Sequence, residues 1–136
     1  MAAALTDYAL KLALKGIVAA GPAVILRLVT GTFPVGDDLL DVTKYTAPTF
    51  TGYAEQTPTY TAPAEDDPGI MLADTIGATW VNPDSPGAND IIGWMACQFD
   101  GTDYHVLAYE EYAEPFVWSY AGQSYNLDLD WTAQRD

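Results

Sequence analysis

The amino-acid sequence predicts a mainly β protein, an antiparallel β-sandwich or small barrel with one N-terminal α-helix, in a single domain over residues 1–136. Three observations carry that expectation. Beyond Gly21 the chain divides into short apolar runs, several with a two-residue period, set apart by Gly, Pro, Asn and Asp turn residues. Nine Tyr, four Trp and many Thr and Val favour a pleated, half-buried surface. Helical periodicity is confined to the first 21 residues. A chain of 136 residues, 49% of them hydrophobic, is long enough to build a core without staples.

Thr6 is a good N-cap, Asp7 suits the first turn, and Leu5 and Leu10 stand at the positions of a hydrophobic staple. A helix over Asp7 to Ala20 follows, with Leu10, Leu14, Ile17 and Val18 on one face and Gly21-Pro22 as its stop. That face either covers the domain's own sheet or docks on another subunit. Ala23 to Thr30 is an apolar run broken only by Arg27 and reads as a buried strand. Gly31 to Gly36 then turns, and Asp37 is placed to cap one helical turn over residues 38–41.

Residues 43–68 form a Thr/Pro-rich arm, in which Thr49-Phe50-Thr51 is echoed by Thr59-Tyr60-Thr61. Pro48, Pro58 and Pro63 confine such strands to edges or ends. The arm therefore suits contact with a neighbour and equally suits a solvated loop. Ala64 to Gly69 reads as a turn, Ile70 to Val81 as a strand, and Asn82 to Asn89 as a loop. Asp90 to Phe99 is a buried strand joined through an Asp100-Gly101 hairpin turn to Tyr104 to Glu111. Tyr112 to Gln123 is aromatic and irregular, with a short strand candidate after Pro115. In the last strand Tyr125, Leu127, Leu129 and Trp131 alternate with Asn126, Asp128, Asp130 and Thr132.

The charge balance excludes one class of partner. With 19 acidic residues against 5 basic ones, and a net charge of -14, the chain repels phosphate backbones, so nucleic acid is not expected as a ligand. Lys11, Lys15 and Arg27 face only Asp7 in the stretch up to Thr30, so almost all the negative charge lies beyond it. No run is apolar enough for a membrane span, and Lys11 and Lys15 interrupt what would be the apolar core of a secretion signal. Cys97, the one cysteine, permits neither an intrachain disulfide nor a thiolate metal cluster.

Catalytic chemistry has no visible constellation. His105 has no identifiable nucleophile partner, and phosphate-binding loops and zinc-protease motifs are missing. Asp66 with Asp67, Asp100 with Asp103, and Asp128 with Asp130 are the carboxylate clusters; the first two fit turns and the third the wet face of a strand. We expect no catalytic, cofactor or metal residues, the alternative for these clusters being a calcium site or a glycosidase-like carboxylate pair. Tyr112, Trp118 and Tyr120 form a candidate sugar-binding loop, whereas Trp80, Trp94 and Trp131 fall in strands and read as core.

The segments Leu26-Arg27-Leu28-Val29, Asp37-Asp38-Leu39-Leu40-Asp41-Val42 and Thr49-Phe50-Thr51-Gly52-Tyr53-Ala54, with Ile92-Gly93-Trp94 through Phe99-Asp100-Gly101, follow one another in a characteristic order. In that order the chain resembles the small virion structural proteins of tailed bacteriophages, the Thr-Phe-Thr-Gly-Tyr-Ala segment being the specific part. The resemblance implies a non-enzymatic component of a virus particle, assembled in the host cytoplasm in many copies. It leaves capsid and tail open. The favoured expectation is a capsid decoration or cement protein binding the major capsid protein and neighbouring copies. Lys11, Lys15 and Arg27, with Phe50, Tyr53 and Tyr60 from the arm, are then the interface residues. The alternative is a tail, neck or fibre module, with Tyr112, Trp118 and Tyr120 as a glycan-binding loop. The arm from Thr57 to Pro68 and the strong acidity depart from the family pattern.

Overall fold

The computed structural model describes residues 24–57, 59–60, 64–67, 70–76, 78–84, 88–99, 101–128 and 130–134; over 59–76 and 130–134 the description is of backbone pairing. The helix expected over Asp7 to Ala20, and with it Lys11 and Lys15, lies outside the described residues. Among those described the protein is mainly β. Strands β1 (Val24–Val29), β2 (Thr59–Tyr60), β3 (Ala64–Asp67), β4 (Ile70–Ile76), β5 (Ala78–Asn82), β6 (Ile91–Phe99), β7 (Tyr104–Phe116), β8 (Gln123–Leu127) and β9 (Asp130–Gln134) all pair antiparallel.

One sheet has the order β1-β6-β7. Its centre, β6, is an almost unbroken apolar run because both faces of the sheet are covered. On one face Val24, Leu26 and Leu28 of β1 and Trp94 and Ala96 of β6 meet Ala78 and Trp80 of β5 and Leu127 of β8 in the main core. On the other, Val29, Met95 and Cys97 pack with Phe33, partly covered by Leu39, Val42 and Tyr45. The alternation of β1 divides its side chains between the two clusters.

Two further sheets are separate, one of β5 with β8 and one in which β4 pairs with β2, β3 and β9. β5 pairs with β8 from Ala78↔Leu127 to Asn82↔Gln123, and β4 pairs with β9 from Ile70↔Gln134 to Asp74↔Asp130. β3 and β9 share Ile70 to Leu72 as partners and therefore flank β4 on opposite edges.

Several expectations are corrected. Residues 64–67 are strand rather than turn, because Ala64 to Asp67 pair with β4. The helical turn divides into two 3-10 turns, Gly36–Leu40 and Val42–Lys44, and the capping carboxylate is Asp41, which accepts from Thr43 N, rather than Asp37. β7 runs on to Phe116, and the shift from Gly93↔Glu111 to Ile91↔Phe116 leaves extra residues on its side, which is where Pro115 is tolerated. Trp118 follows β7 in a connection, not a strand.

Gly93 of β6 sits where no side chain fits. A Cβ there would meet Glu110 O at 2.1 Å and Phe33 Cε2 at 2.7 Å, so the Phe33 ring lies over β6 only because the side chain is missing.

Candidate interaction surface and adjoining groove

The Thr/Pro arm does not hang free over residues 46–56; it is tied down at both ends and in the middle. Thr30 N donates to Thr46 O at 2.9 Å, and Leu26 and Gln56 exchange backbone hydrogen bonds of 2.8 and 3.1 Å. Between these ties Phe50 is only 4% exposed and packs edge-on against Trp118, with ring centroids 5.5 Å apart. Leu28 N donates to Tyr53 Oη at 3.0 Å, and Trp80 Nε1 donates to Ala54 O at 2.8 Å. Burial of Tyr53 pushes its hydroxyl pKa up to about 12. The loop after β5 closes the tie: Thr51 N donates to Asp84 Oδ2 at 2.7 Å and Thr49 N to Asn89 Oδ1 at 2.6 Å. Gly52, at φ 82°, supplies the left-handed residue of the turn.

Sequence reasoning placed Phe50 and Tyr53 at an interface; the structure buries Phe50 and leaves Tyr53 half-buried, packed against the main core. Arg27 is engaged within the chain as well. Its Nε lies 2.6 Å from Glu55 Oε1, off the N–H axis, and its guanidinium carbon sits 5.2 Å from the centroid of the Tyr104 ring. Tyr60 pairs through its backbone with Thr75 on β4.

The aromatic loop is likewise not a platform. Trp118 is 1% exposed, donates Nε1 to Asn89 O at 2.9 Å, and meets Phe116 edge-on at 5.1 Å. The hydroxyls of Tyr112 and Tyr125 hydrogen-bond each other between β7 and β8, and burial, their largest influence, raises both pKa values. Tyr120 alone faces solvent, at 61% exposure. A lone Trp in an irregular stretch gives no periodicity by which its burial could have been read.

What the fold does present is an edge. β7, 13 residues long, pairs with β6 alone among the described strands. It exposes Tyr104, Leu107 and Tyr109 among the charges of Glu110, Glu111 and Glu114. Leu107 is outward because β7 advances from Val106 to Ala108 while β6 advances only from Cys97 to Ala96, so it is the extra residue of a bulge. Val35 and Leu40, beside the 3-10 turns that pack near β7, add exposed apolar surface. Sequence alternation identified β7 as a strand but not its position at the edge.

A groove of about 480 Å³ opens where the arm crosses the end of β1, lined by Thr30, Thr46, Thr49, Asn89, Asp90 and Ile92 and completed by Gly31, Ala47 and Pro115. Asn89 holds it in shape from a left-handed backbone, φ 62°, with its Oδ1 taking both the amide and the hydroxyl of Thr49. No three His, Cys, Asp or Glu side chains cluster as a metal site among the described residues. Cys97 is buried, which pushes its thiol pKa up. Among the described residues no helix is long and apolar enough to cross a membrane. No protein-family model, no curated protein and no solved structure matches the chain.

Proposed function

We propose that the protein is a non-enzymatic virion structural component, a capsid decoration or cement protein that binds the major capsid protein and neighbouring copies. In this reading the two antiparallel layers form a β-sandwich, with β7 as its contacting edge. One observation carries the proposal: among the described strands β7, 13 residues long, is paired on one side, and with Tyr104, Leu107 and Tyr109 outward it offers both backbone groups and apolar side chains to a partner. The Thr49-to-Ala54 segment that carries the resemblance supports it by a different route. It serves as the tie between the two layers, through Phe50, Tyr53 and Ala54, so a shared segment argues for a shared framework.

A cement protein acts by mass action, since whatever binds only the assembled shell stabilises it in proportion to occupancy. Repetition over a lattice lets modest interfaces add up. The test is cryo-electron microscopy of the particle containing the chain, combined with binding of purified protein to preassembled shells. Density at every lattice position, and weakened binding by Leu107→Asp or Tyr109→Asp, is the expected result. A few copies at the neck, tail or fibres would replace this reading with the adaptor alternative. The glycan form of that alternative has lost Trp118 to the core and would need Tyr120 as its contact.

A further inference from the structure

We infer that the groove at the end of β1 is a binding site for an alkylammonium group, the head of a lysine side chain or of a free polyamine. Thr30 Oγ1 donates to Thr46 O at 3.4 Å, and Thr49 Oγ1 donates to Asn89 Oδ1 at 3.1 Å. With their protons directed at the protein, both hydroxyls have lone pairs left for a ligand. The Asp90 carboxylate adds a full negative charge, and none of the nine lining residues is basic. The lining is thus rich in acceptors, which selects against carboxylates, phosphates and carbonyls and for a charged donor.

Asp90 strengthens the point. Its Oδ1 is sealed from solvent, and no donor among the described residues reaches it. A carboxylate that has lost water at one oxygen without gaining a donor carries an uncompensated solvation cost, which a cation near the other oxygen offsets. Ala47, Ile92 and Pro115 provide apolar wall for the methylenes of an alkyl chain, while the acceptors take the ammonium protons. The net charge of -14 concentrates such cations around the molecule. The volume, about 480 Å³, falls within the range of small-ligand clefts. The site is independent of the virion reading; if that reading holds, a shell-protein lysine is the natural occupant.

The experiment is an amide NMR titration of the full chain at fixed ionic strength with three probes: Nα-acetyl-lysine methylamide, 1,5-diaminopentane, and Nα-acetyl-norleucine methylamide as the uncharged control. Saturable shifts centred on Thr49, Asn89, Asp90 and Ile92 are expected with the two amines and not with the control. Asp90→Asn, which keeps the shape, should weaken amine binding about tenfold or more. Thr49→Val, which retains the backbone bond to Asn89, should weaken it by a smaller factor. Tighter binding of the lysine derivative assigns the source to a partner protein, and tighter binding of the diamine to free polyamine; either supports the site. Equal response to the uncharged control, shifts spread over the acidic surface, or undiminished binding by a folded Asp90→Asn variant would overturn it.

Discussion

Two residues show how little freedom the packing leaves. Gly93→Ala would drive a methyl into Glu110 O, a backbone atom that cannot swing aside, and into the Phe33 ring. The expected cost is about 1–3 kcal/mol or more, read as a lower urea midpoint with an unchanged slope. Tyr53 makes a pH prediction. Its folded pKa, about 12, stands above the ordinary 10.0, so the folded state holds the proton more tightly than the unfolded one. Its contribution is complete below pH 10 and is lost as pH rises toward 12; Tyr112 and Tyr125, also raised, act in the same direction. Denaturation midpoints should therefore fall over that window together with the appearance of tyrosinate absorbance. Tyr53→Phe should flatten part of the fall while costing about 1–3 kcal/mol at neutral pH, because Leu28 N–H loses its acceptor. A midpoint independent of pH up to 12 would contradict the account.

Among the strands, β6 and β7 are chemical neighbours with different prospects. β6 is hydrogen-bonded on both sides and buried on both faces, whereas β7 has one partner among the described strands. Hydrogen exchange of the isolated protein should find β6 amides among the slowest, opening only with global unfolding, and a set of β7 amides exchanging orders of magnitude faster. Uniformly slow β7 amides would mean that its outer edge is covered. Strand positions were largely legible, β1 and β6 following their apolar runs, but the runs read as single strands over Ile70 to Val81 and Tyr125 to Thr132 hold two strands each, β4 with β5 and β8 with β9. The hairpin was legible too, with Phe99 facing Tyr104 across Gly101. What composition obscured was the arm. Thr and Pro read locally as exposed, yet Tyr53 is bonded 25 positions back to Leu28 and Thr49 is bonded 40 positions ahead to Asn89. Contacts at such separations leave no periodic trace. For the same reason the groove, assembled from Thr30, Thr46, Thr49, Asn89 and Asp90, could not be read from any one stretch.

The whole molecule carries -14, and the described ion pair joins Arg27 to Glu55. Like-charge repulsion opposes compaction, so raising the salt from ~0.01 to ~0.15 M, which shortens the screening length from ~30 to ~8 Å, should raise the thermal midpoint. A fall would mean that attractive pairs outweigh the net repulsion. The same acidity keeps copies apart until a cationic or apolar partner brings them together. Topology adds a consequence in time. Val29 pairs with Gly93, and among the described strands β6 is the one partner of β1 in its sheet. At a synthesis rate of roughly 5–20 residues per second, β1 emerges from the ribosome several seconds before β6 exists to receive it. For that interval an apolar segment, Val-Ile-Leu-Arg-Leu-Val, waits in the open with Arg27 as its single charge. Replacing that arginine should therefore lower the yield of newly made protein more than it lowers the stability of protein already folded.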